Sequence, residues 1–210
     1  IVSNPNQSGG AFQYELFCAK LFSNIDEKKF NFIFYCKSKK VQDSYKKNNI
    51  KINLITINIF QKFYDLILKN KFFSYLLISL SHLLKRPKLK ILHGIRLNFY
   101  SNIENRLNKD KIDIVYFTSP SDIYKQIRNI PFIYTVFDLN FLSYNYFPEL
   151  SQDNIFINRN RLYHHSLNRA YKILVCSKIL KEQIIKFYSI PSDRIEIFHY
   201  LPNKKNLNEK

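Results

Sequence analysis

The sequence predicts an α/β fold built on a doubly wound, mostly parallel sheet. Three observations carry that expectation: short continuous apolar runs recur along the chain, amphipathic segments of helical period lie between them, and polar or glycine-bearing stretches follow the ends of the runs. A continuous apolar run is the mark of a strand buried on both faces, as in parallel sheets. Strands that alternate with helical segments are the pattern of crossover connections.

The elements follow in order. Ile1-Val2-Ser3 reads as the end of a first strand. Phe30–Cys36 (FNFIFYC), Lys51–Ile57 (KINLITI), Ile112–Thr118 (IDIVYFT), Pro131–Val136 (PFIYTV), Lys172–Ser177 (KILVCS) and Arg194–Phe198 (RIEIF) read as the strands that follow. Ala11–Ser23 is a helix that places Phe12, Leu16, Ala19 and Phe22 on one face. Asn154–Ala170 is a long helix carrying Arg159, Arg161 and Arg169. In Ser177–Tyr188 the spacing turns Leu180, Ile184 and Phe187 inward with Ile185 beside them, leaves Lys178, Lys181 and Lys186 to solvent, and makes Ser177 the N-cap. Residues 60–106 are helical in composition and divide at Arg86-Pro87. Two readings of that stretch stay open, a helical layer on the sheet or a basic, aromatic helix on a membrane surface. The polar end from Asn203 (NKKNLNEK) reads as the start of a linker.

Composition bounds the function classes. Hydrophobic residues make up 46% of 210, and Phe and Tyr supply all the aromatic residues. That suffices for a core and excludes a disordered chain. Lys and Arg number 33 against 16 acidic residues, a net charge of +17. Codon usage of an AT-rich genome, a basic face for anionic lipid or a diphosphate substrate, and nucleic-acid binding each account for such a charge. No motif of a nucleic-acid module is present, so nucleic acid is not expected as a partner. Cys18, Cys36 and Cys176 form no CxxC pair and stand at no metal-ligand spacing. Each lies in an apolar run, and all three are expected as buried free thiols in a reducing cytosol. The chain has no Met and opens inside a strand, so a truncated N-terminus is expected, and a missing leader carries no weight.

Three stretches carry candidate chemistry. Asn4-Pro5-Asn6-Gln7-Ser8-Gly9-Gly10 joins a strand end to a helix start. Paired glycines let backbone approach a ligand, and helix N-terminal amides favour an anion, although the stretch is neither GxGxxG nor a P-loop. A simple turn is the alternative. Thr135-Val136-Phe137-Asp138-Leu139 ends a strand and opens a polar, aromatic loop. Asp138 there is either a site carboxylate beyond a strand end or a loop cap. Phe147-Pro148-Glu149 and the helix with Arg159, Arg161 and Tyr163 follow. An arginine facing a cleft binds phosphate bidentately; otherwise it solvates the helix face. His164 and His165 are adjacent and share no helix face, so they take no role.

Taken together, TVFDLNFLSYNYFPELS, RNRLYHHSLNRAYKILVCS and LKEQIIKFYSIPSDRIEIF, with GGAFQYELFCAKL before them, resemble the N-terminal domain of family-4-like glycosyltransferases. The resemblance covers about the first 24 and last 70 residues. It implies a Rossmann-like sheet forming the N-terminal, acceptor-side half of a GT-B fold over 1–202, with a linker from 203. The donor domain is expected to be absent from the chain. By the same resemblance Gly9 and Gly10 approach the donor diphosphate, and Phe137 stands where the family often has a histidine. Asp138 is then the best polar candidate for catalysis, with Phe137, Glu149 and Arg159 as substrate-binding residues. No metal and no cofactor are implied beyond the nucleotide-sugar donor. The expected activity is transfer of a hexose-type sugar, with retention, to a glycan or lipid-linked acceptor in cell-surface polysaccharide biosynthesis. The enzyme is expected in the cytoplasm or at the inner face of the membrane, with the chain alone inactive. A non-catalytic module that keeps the acceptor-side fold, and a basic nucleic-acid-binding α/β protein, are the competing readings.

Overall fold

A computed structural model describes residues 2–3, 9–25, 30–36, 39–54, 103–143 and 155–199, with only the backbone described for Val2 and Ser3. The chain divides into two compact units: Ile1–Leu54 with Asp113–Tyr124 and Ile130–Lys210, and Ile55–Ile112 with Lys125–Asn129.

The first unit holds the sheet. Its strands are β1 (Val2–Ser3), β2 (Phe34–Cys36), β3 (Ile52–Leu54), β4 (Val115–Phe117), β5 (Phe132–Val136), β6 (Lys172–Val175) and β7 (Ile195–Ile197). They lie in the order β3-β2-β1-β4-β5-β6-β7, and every pairing among the described residues is parallel. This is the doubly wound, Rossmann-like order. β2 and β4 are shorter than the apolar runs that announce them: Phe30 and Ile114 stand before the ladder and are exposed. The helices are α1 (Gly10–Ser23), α2 (Lys39–Lys47), α3 (103–109, in the second unit), α4 (Asn140–Ser143), α5 (Ile155–Arg169) and α6 (Lys178–Tyr188).

Side-chain alternation sets the two faces. Phe117, Phe132 and Tyr134 share one face and pack edge to face, with ring centroids 5.4–6.2 Å apart. Tyr116 and Thr135 point the other way, toward α1. A second core joins Phe12 and Ala19 of α1 to Phe34, Cys36, Val41, Tyr45, Ile50 and Ile52. The expected α1 face is thus present, and the helix buries a second flank as well, through Tyr14, Glu15 and Cys18.

Helix ends are closed by local chemistry. Asn49, at φ 59°, ends α2 in a Schellman turn, Ile50 N–H donating to the Tyr45 carbonyl and Asn49 N–H to that of Lys46. Ser177 caps α6 as the sequence predicts, its Oγ accepting from Leu180 N–H at 3.2 Å. The buried α6 set is Leu180, Ile184 and Tyr188, whereas Phe187 and Ile185 are exposed, which corrects the expected inward face. Tyr188 takes the inner position because its hydroxyl donates to Asn160 Oδ1 (3.1 Å) and its ring meets Tyr163 on α5.

Arg194 closes the other end of α5. Its Nη2 donates to the carbonyls of Leu167 (2.9 Å), Asn168 (3.1 Å) and Ala170. A cation on orphan C-terminal carbonyls satisfies them and opposes the helix dipole. Arg194→Ala is therefore expected to lower stability by about 1–2 kcal/mol, read as a lower urea midpoint at unchanged slope.

In the second unit, α3 buries Ile103 and Leu107, and the buried Glu104 accepts from the backbone of Arg128 (3.0 Å) and Asn129 (2.6 Å). A Schellman turn with Lys111 at φ 53° ends α3. Apart from the last residues of the stretch, the expectations for 60–106 lie outside the described residues.

Candidate functional site

In a doubly wound sheet the strand order reverses between β1 and β4, and ligands bind beyond the carboxyl ends of the strands at that point. All seven strands are parallel, so the residues after β1, β4, β5 and β6 emerge on one edge. These are Gly9-Gly10, Thr118-Ser119, Phe137-Asp138 and Cys176-Ser177. β1 and β5 are two ladder steps apart, about 10 Å.

Gly9 precedes α1 with φ 88° and ψ 175°, a region that only glycine occupies without strain. It has no side chain to cap the amides of the first turn. A Cβ built on Gly10 meets nothing within 4 Å among the described residues.

Behind this turn α1 is tied to the sheet. Tyr14 Oη and Tyr116 Oη are 2.6 Å apart, and Thr135 Oγ1 donates to Tyr116 Oη at 3.0 Å. The Tyr14 ring meets Phe137 edge-on at 5.4 Å. Ser119 Oγ donates to Glu15 Oε1 at 2.7 Å, with both residues buried. Sequence pattern alone does not single out Glu15 or Ser119. Glu15 stands on the second buried flank of α1, with Tyr14 and Cys18, which the period of Phe12, Leu16 and Ala19 leaves out.

Burial raises the acid groups of this cluster: the Cys18 thiol is pushed up to about 11 from 9.0, and Tyr14 and Tyr116 are held well above the usual phenol range. The native state keeps protons that the unfolded chain releases as pH passes about 9. Stability is therefore complete below that pH and is lost as pH rises through about 11. Urea midpoints are expected to hold between about pH 7 and 9 and then fall, with a shallower fall in Cys18→Val.

Asp138 stands two residues past β5 and is half-buried. Its Oδ1 accepts from Asn140 N–H at 3.1 Å, an Asx turn that opens α4. Phe141 of α4 is buried and stacks on Tyr163 (5.8 Å, 16°). The exposed Arg159 guanidinium lies 5.9 Å from the Phe141 ring. Burial holds the Tyr163 hydroxyl above its usual range; the Asp138 charge pushes it further, and Arg159 pulls it back. Arg159 thus stands over Phe141, and Phe137 meets Tyr14 of α1, four residues past Gly10. Glu149 lies outside the described residues.

Cys176 is exposed, with its Sγ 3.8 Å from the Phe137 carbonyl, whereas Cys18 and Cys36 are buried. This corrects the expectation of three buried thiols: the apolar run ends at Val175, and Cys176 stands past the ladder on the open edge. A thiol reagent is expected to modify Cys176 alone in the folded protein and the other two only after unfolding; native labelling of all three would contradict this.

Among the described residues no group of three or more His, Cys, Asp or Glu is placed to hold a metal ion. A cavity of about 460 Å³ opens at the opposite, amino-terminal edge, among Phe22, Phe30, Phe32, Asn49, Lys51 and Asn53. Among the described residues that line it, Lys51 is the one ionisable group.

A family model described as Glycosyltransferase Family 4 matches residues 71–200, more than half of the chain. The match includes Phe137, Asp138, Glu149 and Arg159, and the Gly9-Gly10 turn precedes it. No curated protein sequence matches the chain.

Proposed function

The chain belongs to glycosyltransferase family 4, and on that premise we propose that it supplies the acceptor-side half of a transferase moving a hexose-type sugar from a nucleotide donor to a glycan or lipid-linked acceptor, with retention. The observation that carries the reading is the placement, on one sheet edge at the switch point, of a positive-φ glycine turn that starts α1 and a half-buried carboxylate. The α1 amides suit the donor diphosphate, where charge develops as the bond to the sugar breaks. Asp138 suits the face of the sugar that reacts, and Arg159 an anionic part of the acceptor or donor. The cationic groups that complete the leaving-group site belong, by the GT-B plan, to a second domain. The natural setting is cell-surface polysaccharide synthesis. A lipid-linked acceptor puts the enzyme at the inner membrane face, where a +17 chain meets anionic lipid. No helix among the described residues is long and apolar enough to cross a membrane.

The test is a panel of radiolabelled nucleotide sugars given to the full-length protein with lipid and glycan acceptors. Label passing from one donor into extractable or polymeric product supports the reading. Failure to consume any nucleotide sugar under every acceptor condition refutes it.

A further inference from the structure

We propose that Glu15 and Ser119 are positioning residues: a buried latch that fixes the azimuth of α1 on β4, and so holds the Gly9-Gly10 turn in place against the Phe137-Asp138 edge. This rests on the donor-binding reading given above for the glycine turn.

The carboxylate is out of place on packing grounds. Glu15 is 0% exposed and Ser119 2% exposed. A buried carboxylate is unfavourable unless it is well satisfied, and a well-packed apolar residue at such a position is often as stable or more so. Glu15 sits on the second buried flank of α1, between Tyr14 and Cys18, where leucine would serve the core. What a carboxylate adds is direction. Apolar contacts are non-directional and let a helix rotate or slide, whereas a 2.7 Å bond from Ser119 Oγ defines one placement. The placement matters at this spot. Ser119 stands two residues beyond β4, beside the switch point, and Glu15 is about 7.5 Å along the axis of α1 from Gly10. The neighbouring Tyr14 ties the same helix to β4 through Tyr116 and touches Phe137. Two consecutive residues thus anchor α1 to the strand on one side of the crevice and to the edge that carries Asp138. Helix rotation would swing the first-turn amides away from a bound diphosphate without unfolding anything.

The test compares Ser119→Ala, Glu15→Gln and the double variant Glu15→Leu/Ser119→Ala in the full-length protein. Ser119→Ala and the double variant are expected to raise the donor KM about tenfold while the acceptor KM stays within about twofold. Glu15→Gln keeps an acceptor for the Ser119 hydroxyl and is expected to restore donor KM to within about threefold of the parent. The melt of the double variant reports the cost to the fold separately from donor KM. Amide exchange at Gly10–Gln13 without substrate is expected to quicken in Ser119→Ala and the double variant. An unchanged donor KM in a folded double variant overturns the proposal. So does unchanged α1 exchange, even in a protein with full transfer activity. Faster exchange in a protein whose parent transfers no sugar overturns the donor reading, and with it the positioning role.

Discussion

Asp138→Asn is expected to lower the rate of sugar transfer by about a hundredfold while leaving the melting temperature unchanged. The substitution separates two roles of one side chain. In the fold, Asp138 Oδ1 accepts the Asn140 N–H that opens α4, and an asparagine carbonyl accepts that bond equally well. In the proposed chemistry the negative charge acts, and asparagine lacks it. Asp138→Ala removes both and is expected to lose activity together with about 0.5–1 kcal/mol of stability. Initial rates and thermal melts of the two variants decide the matter. Transfer at the parental rate in Asp138→Asn, with a lower melt in Asp138→Ala, would reduce Asp138 to a turn cap.

The two glycines are expected to part company. Gly9 lies at φ 88° and ψ 175°, so Gly9→Ala is expected to be destabilising by about 1–3 kcal/mol and to displace the start of α1. Gly10 is the first helical residue, and a Cβ there meets nothing within 4 Å among the described residues. Gly10→Ala is therefore expected to fold with equal or slightly greater stability, by up to about 1 kcal/mol. If the turn embraces a diphosphate, the added methyl group nevertheless weakens donor binding by about tenfold or more, since it occupies the approach of the ligand to the amides. A stable Gly10→Ala protein with unimpaired donor binding would mean that the start of α1 binds no donor.

The strand pattern was legible because parallel strands are buried on both sides, so each appears as an apolar run with little alternation. Seven strands are found where such runs or their ends stand, and the glycine turn and Asp138 fall on the shared edge that a parallel sheet requires. What pattern could not give were contacts between distant residues. Glu15 and Ser119 are 104 positions apart, and no local period couples them. Phe187 satisfies the helical spacing as well as Tyr188 does; the choice between them was made by Asn160 and Tyr163, on another helix. Cys176 extends an apolar run, yet it lies one residue past the point where the strand leaves the ladder. The basic residue before β7 reads in sequence as one more positive charge. In the fold it closes the end of α5, a role that only the carbonyls of Leu167, Asn168 and Ala170 reveal.

The placement of one substrate site on the carboxyl edge is tested most directly by amide hydrogen exchange of the full-length protein with and without a nucleotide sugar. The account predicts that the donor slows exchange at Gly10–Gln13 and around Phe137–Phe141 together, and leaves unchanged the residues of the opposite edge near Phe32 and Asn53. Protection confined to the opposite edge, or at one of the two segments without the other, would contradict it.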